Sequence, residues 1–140
     1  MLLGDLATIV EYELPVKVIV FNNRSLGMVK LEMEVDGLPD NETDMYNPDF
    51  SLVAKAMGMK GRTVSRPDDV LPALIDALNT PEPELLNIMT DPNALAMPPE
   101  IELDQMTGFA RAMYKMLING RSREIIDTIR SNYKHIKEVF

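Results

Sequence analysis

Residues 16–21, VKVIVF, constrain the fold more than any other stretch. The run is β-branched and almost wholly apolar, with no alternation of polar and apolar positions. A strand of that kind is expected to be buried on both faces, as in a parallel sheet covered by helices on each side. Two neutral amides, Asn22 and Asn23, stand where the strand should end, and Leu26, Gly27 and a second apolar run follow.

The rest of the chain supplies the helices that such a sheet needs. Leu2, Leu3, Leu6, Ile9 and Val10 recur at helical spacing, so residues 2–13 read as an amphipathic helix ended by Pro15. Residues 28–34 predict a short helix, and the acidic stretch EVDGLPDNETDMYNP a loop. DFSLVAKAMG predicts a helix stopped by Gly58. GRTVS predicts a strand, RPDDVLPALIDALN a helix opened by Pro67 and two acidic residues, and ELLNIMT a third strand. Two further helices are expected near 103–118 and 121–137. Strands alternating with helices give an α/β class, a parallel sheet flanked by helices, with a C-terminal helical tail. The organisation expected is a truncated cofactor domain over residues 1–100 and a helical extension over 101–140. Three strands are few for such a sheet, so the chain reads as a small fold or as part of a larger one.

Composition removes several function classes. Without cysteine there is no disulfide scaffold and no thiolate metal site, which suits a reducing cytoplasm. The single histidine, His135, leaves no His-based triad or multi-histidine zinc site, and it is expected to be solvated. No apolar run approaches the roughly 20 residues that span a bilayer. No basic region precedes the first apolar stretch, so it does not read as a signal peptide. The net charge of −8 argues against nucleic acid as the main partner. That charge is uneven: residues 1–104 hold 7 basic and 19 acidic side chains, residues 105–140 hold 7 and 3.

The asparagine pair has two readings. In open parallel sheets, ligands bind beyond the carboxyl ends of the strands. An amide oxygen is a neutral hard ligand suited to Mg²⁺, and Gly27 would allow backbone N–H groups close to a phosphate. Alternatively Asn-Asn makes a turn, since Asn bonds its own backbone and tolerates unusual angles.

FNNRSLGMV, after an apolar strand and a helix opening MLLGDLAT, resembles the second half of the thiamine diphosphate signature, which opens with Gly-Asp-Gly and closes with Asn-Asn. The resemblance runs on through NPDFSLVAKAMGMKG and DPNALAMPPEIELDQMTGFA and is nearest to the pyruvate oxidases, in particular the quinone-dependent, acetate-forming pyruvate dehydrogenases. It implies that Asn23 is a side-chain Mg²⁺ ligand and that Ser25 gives its backbone carbonyl. It implies that Leu26, Gly27 and Met28 present N–H groups to the diphosphate, and that Glu32 is a carboxylate near the active-site mouth. Acetolactate synthases usually carry a tryptophan at the place of Glu32, whose other reading is a solvated helix residue. The implied cofactors are thiamine diphosphate and Mg²⁺, with FAD in the longer parent. The implied partners are pyruvate, quinone and a membrane surface, in a homo-oligomer, the parent being a tetramer, cytoplasmic and peripheral at the inner face of the cell membrane. Alternatives are an acetolactate synthase, a phosphate-dependent pyruvate oxidase, or a non-catalytic interaction module.

Gly-Asp-Gly itself is absent. Gly4-Asp5 is followed by Leu6 and stands only 18 residues before Asn23. The family spacing, counted back from Asn23, falls before Met1. The resemblance therefore implies the C-terminal piece of a longer enzyme, holding half a metal site and inactive alone. Other features have plainer expectations. Met57, Met59, Met89, Met113 and Met116 should fill core. Asp36, Asp40, Glu42 and Asp44 should be a solvated loop, and Arg111, Lys115, Arg121 and Arg123 solvated helix faces. Ile125, Ile126, Ile129, Tyr133, Ile136 and Phe140 form an apolar stripe flanked by Arg130, Lys134 and Lys137, suited to an anionic leaflet or to packing on its own domain.

Overall fold

The computed structural model describes residues 3–94 and 103–139, with side chains in the second stretch described for 107–108, 110–123 and 125–132. The element order is α1 (Gly4–Glu11), β1 (Lys17–Asn22), α2 (Gly27–Val35), α3 (Phe50–Ala56), β2 (Lys60–Val64), α4 (Pro67–Leu78), β3 (Glu84–Met89), α5 (Leu103–Ile118) and α6 (Ser122–Val139). Each expected element is present, displaced by no more than a few residues. Two compact units interleave in sequence: residues 1–23 with 46–90, and residues 24–45 with 91–140.

The first unit is built on a three-stranded parallel sheet in the order β1-β3-β2. Central β3 is buried from Glu84 to Ile88, as a strand covered on both faces must be. On one face Val64, Leu86 and Ile88 pack against Ala73 and Ala77 of α4, with Val70 and Leu74 beside them. On the other, Leu85 packs with Leu6, Ala54 and Met59, and Val18, Val20 and Phe50 join from the margin. Leu85 and Leu86 are almost wholly buried, so truncating either to Ala would cost about 2–5 kcal/mol.

VKVIVF departs from the expectation of burial on both faces. Val18 and Val20 lie over the core, but Ile19 is 41% exposed and Phe21 73%. The reason is position: β1 is an edge strand, and α4 packs over β2 and β3. The apolar run therefore reported a parallel strand correctly and its cover wrongly.

Two glycines set close approaches. Gly58 ends α3 in a left-handed conformation (φ +91°), with its N–H bonded to Lys55 O and the Met59 N–H to Ala54 O. Gly61 in β2 lies against the first turn of α3, where a Cβ would overlap the Ser51 carbonyl.

The second unit joins α2, α5 and α6. Gly37 (φ +75°) closes α2, and Lys115 of α5 donates to its carbonyl at 2.8 Å. At Gly108 of α5 a Cβ would overlap the Val35 carbonyl, so the two backbones touch. On α6, Ile125, Thr128 and Asn132 are buried while Ile126 and Ile129 are exposed. The expected apolar stripe is thus split: Ile125 faces inward, and the interior line continues through polar side chains. The side chains of Tyr133, Lys134, His135, Ile136 and Lys137, and Phe140 entirely, lie outside the described residues. Met59 and Met116 fill core as expected.

Gly61→Ala should lower stability by about 1–3 kcal/mol, because the added methyl must displace backbone rather than a flexible side chain. Urea unfolding followed by circular dichroism checks this; an unchanged midpoint would show that α3 does not rest on β2 at that point.

Candidate functional site

Asn22 and Asn23 stand at the carboxyl edge of the sheet, Asn22 in register with Met89 at the end of β3. Asn22 is 3% exposed and sits in a polar layer that crosses all three strand ends. Its Nδ2 donates to Asn87 Oδ1 at 3.2 Å, and its Oδ1 accepts from Asn47 Nδ2 at 2.9 Å. Asn87 Nδ2 in turn donates to Thr63 Oγ1 at 3.2 Å, and Thr63 Oγ1 donates to Asp49 Oδ1 at 2.9 Å. Ser51 closes the layer: its Oγ donates to Asp49 Oδ1 at 2.6 Å and lies 3.0 Å from Thr63 Oγ1. Buried amides without partners would cost about 1–3 kcal/mol each, so each position in the layer demands the next. The two asparagines therefore differ in kind. Asn22 ties strand ends together, and Asn23 follows half-buried outside the ladder.

The layer ends on a helix cap. Asp49 is the N-cap of α3 and accepts the Ser51 N–H at 2.9 Å. The Ser51 hydroxyl holds its carboxyl below the ordinary value, against a smaller opposing effect of burial, and Thr63 adds to the lowering.

In the second unit, the segment after Asn23 is a pinned turn. Arg24 adopts φ +52°, a left-handed conformation uncommon outside glycine. Ser25 bridges antiparallel to Asp44, through Leu26 N–H to Thr43 O at 2.8 Å and Met45 N–H to Arg24 O at 2.9 Å. Ser25 is buried, and its Oγ donates to Thr43 O at 3.3 Å. α2 begins immediately afterwards, with Leu26 as N-cap and the Lys30 N–H bonded to Leu26 O at 2.9 Å. No side chain caps this helix start and its first turn holds no acidic residue. Gly27, Met28 and Val29 carry helix N–H groups that have no carbonyl one turn back to accept them. An anion is the natural complement of such a start.

The carried-over residues can now be placed. Asn23 and Ser25 flank the Arg24 turn in sequence, and the two bonds of the Ser25–Asp44 bridge use the carbonyls of Arg24 and Thr43. Gly27 and Met28 open α2, and Met28 is exposed. The Leu26 N–H, expected as a diphosphate donor, is bonded to Thr43 O, because it closes the turn. Glu32 is exposed on α2, whereas Glu34, two residues on, is fully buried. Among the described residues no group of three or more His, Cys, Asp or Glu side chains could hold a metal. The donor set present is neutral amide and carbonyl oxygen with backbone N–H, which fits a diphosphate and part of a Mg²⁺ shell.

Sequence reasoning missed the layer that holds Asn22. Asp49, two residues before Ser51 and at the head of an apolar helical run, was a readable cap signal. The roles of Asn87 and Thr63 had no local signal. The acidic loop and the basic face also need correction. Asp40 is largely buried and Arg121 grips it at 2.7 Å, and Lys115 is spent on Gly37 rather than solvated.

A parallel sheet with amides at its carboxyl edge is an α/β arrangement of the class that binds ligands beyond its strand ends. Residues 1–88 match Thiamine pyrophosphate enzyme, C-terminal TPP binding domain, and the chain belongs to that family. It is similar to a putative thiamine pyrophosphate-containing protein, YdaP, of Bacillus subtilis, at 33% identity over 89% of this chain and 22% of that protein. It is also similar to a probable acetolactate synthase large subunit of Methanocaldococcus jannaschii, at 39% identity over 68% of this chain and 17% of that protein. The large subunit of acetolactate synthase isozyme 2 of Escherichia coli shares 34% identity over 62% of the chain and 16% of its own length. The chain thus spans about a fifth of the length of the curated relatives it matches.

Asp49→Asn keeps a capping oxygen but removes the charge, so it should destabilise the chain at neutral pH by about 0.3–1 kcal/mol, the usual worth of a carboxylate at a helix N-terminus. The carboxyl titrates lower in the folded state than its ordinary 3.8, so its contribution is present above that pH and fades as pH falls through the lower folded value. Urea midpoints of the two proteins should therefore differ at pH 7 and converge below about pH 3.8; a constant gap across that range would refute the assignment.

Proposed function

We propose that this chain supplies the diphosphate-anchoring half of a thiamine diphosphate and Mg²⁺ site, as a segment of a longer enzyme acting on pyruvate. The start of α2 carries this reading. It offers N–H groups without a capping side chain or a carboxylate, directly after the left-handed turn at Arg24. The Gly27 and Met28 amides would bind diphosphate oxygens. Asn23 Oδ1 and the Ser25 carbonyl would complete two positions around Mg²⁺, which favours oxygen and shares itself with phosphate. Thiamine diphosphate, when bound, supplies carbanion stabilisation to a 2-oxo acid. The work of this chain is to anchor and orient. Glu32 would present a negative charge to the active-site mouth, the role that the resemblance gives it. Residues 1–100 would belong to the cofactor domain and 101–140 would form its helical extension.

Within the pyruvate enzymes the reading is an FAD-containing, acetate-forming dehydrogenase that passes electrons to quinone, assembled as a homotetramer. A carboxylate at position 32, where acetolactate synthases usually carry tryptophan, supports it. The second reading is an acetolactate synthase, favoured by the names of several relatives. With the longer protein, pyruvate and a quinone, acetate formation matched by quinone reduction supports the first. Acetolactate formation without quinone reduction would establish the second. The membrane role rests on the exposed Ile126 and Ile129 with Arg123 and Arg130, also exposed, on the same helix. Ile126→Glu with Ile129→Glu should reduce sedimentation with anionic vesicles; equal sedimentation would remove that role.

By itself the 140-residue chain should bind Mg²⁺–thiamine diphosphate at millimolar strength or undetectably. Among the described residues only neutral ligands would face the metal, and loss of a charged partner weakens such a contact about 10–100-fold. Calorimetry checks this, and micromolar binding would overturn the half-site assignment.

A further inference from the structure

We propose that Arg121 is a positioning residue for the turn formed by Arg24, Ser25 and Leu26, acting through Asp40 and Thr43. The proposal deepens the cofactor reading, since it says what holds the proposed anchoring turn in shape.

The connections are all within the second unit. Arg121 Nη2 lies 2.7 Å from Asp40 Oδ1, and Nη1 donates to the Asp40 carbonyl at 3.1 Å. One guanidinium thus grips the side chain and the main chain of the same residue, a geometry that a planar fork provides and an ammonium does not. The Asp40 side chain is only 11% exposed and that of Arg121 31%, so the carboxylate end of the pair is partly shielded from screening. Thr43 Oγ1 donates to Asp40 Oδ2 at 3.4 Å, and Lys30 Nζ lies 3.8 Å from the same oxygen while donating to Asn93 Oδ1 at 3.2 Å. The Thr43 carbonyl then accepts both the Leu26 N–H and the Ser25 hydroxyl. A continuous path therefore runs from the corner between α5 and α6 to the left-handed Arg24 turn.

Arg121 is itself placed by backbone. Gly120 (φ +75°) closes α5, with its N–H bonded to Leu117 O at 3.2 Å and the Arg121 N–H to Met116 O at 2.9 Å. Met116 is buried, so the cap is moored in the interior. At the other end of the loop Lys115 holds the Gly37 carbonyl. The α5–α6 corner consequently clasps residues 37 and 40 and keeps a strained turn from relaxing.

Amide hydrogen exchange tests this in the folded chain. Charged, partly shielded bonds of this kind shift a local opening equilibrium about 10–100-fold. Arg121→Ala should therefore speed exchange at Leu26 and Met45 by about tenfold or more, while the β3 amides of Leu85 to Ile88 keep their rates. Arg121→Lys should restore part of the protection, and Asp40→Asn should loosen the same two amides. Unchanged exchange at Leu26 and Met45 in Arg121→Ala, or equal loosening of β3, overturns the proposal. If Arg121→Ala does not fold, Arg121→Lys and Asp40→Asn decide on the same two amides. These rates are read without cofactor, so their outcome is separate from calorimetry with Mg²⁺–thiamine diphosphate, where micromolar binding would overturn the half-site reading.

Discussion

The buried amide pair Asn22–Asn87 is the constraint on which the first unit depends. A parallel sheet is otherwise free to end wherever its strands run out. Here the ends of β1 and β3 are joined by buried side chains, and Thr63 extends the join to β2. The helix cap at Asp49 is fed from the same bonds, so strand register and helix entry are settled together. A shift of one residue in any strand would turn a polar side chain out of the layer and an apolar one in. Where the chain leaves β1 at Asn23 is thus decided by chemistry inside the sheet.

The second unit solves a different problem. An uncapped helix start and a left-handed arginine are both unfavourable when isolated, and each is held by neighbours distant in sequence. Thr43 reaches Leu26 across the loop, and Arg121 reaches Asp40 from the far end of the chain. The bonds that hold the turn run from Thr43 to Asp40 and on to Arg121. That arrangement suits an anchoring segment, in which the groups pointing outward are backbone and the groups that support them are charged and partly shielded.

How much of this could be read from the sequence depends on range. The elements were legible because they rest on local signals: Pro15 and Pro67, Gly58, and the change from strand to helix periodicity. The location of the candidate site was legible too, because Asn22 and Asn23 interrupt an apolar run at a strand end. What could not be read is pairing. VKVIVF reported its strand but not the bare side at Ile19 and Phe21, since edge position depends on sheet order. Asp40 looked like one of several solvated acids because nothing near it in sequence hints at Arg121. The Leu26 amide looked available because its acceptor, Thr43, lies in a loop with no regular pattern.

Gly108 has a consequence for motion. Its missing side chain lets α5 meet the Val35 carbonyl backbone to backbone, and it is the sole glycine between residues 103 and 118. Sliding α5 by one turn would bring Asp104 or Ala112 to that crossing, and neither has room for its Cβ. The helix is therefore keyed to one notch. A change of register along α5 would have to part the two backbones at this crossing, so the glycine fixes where the helix can lie on α2.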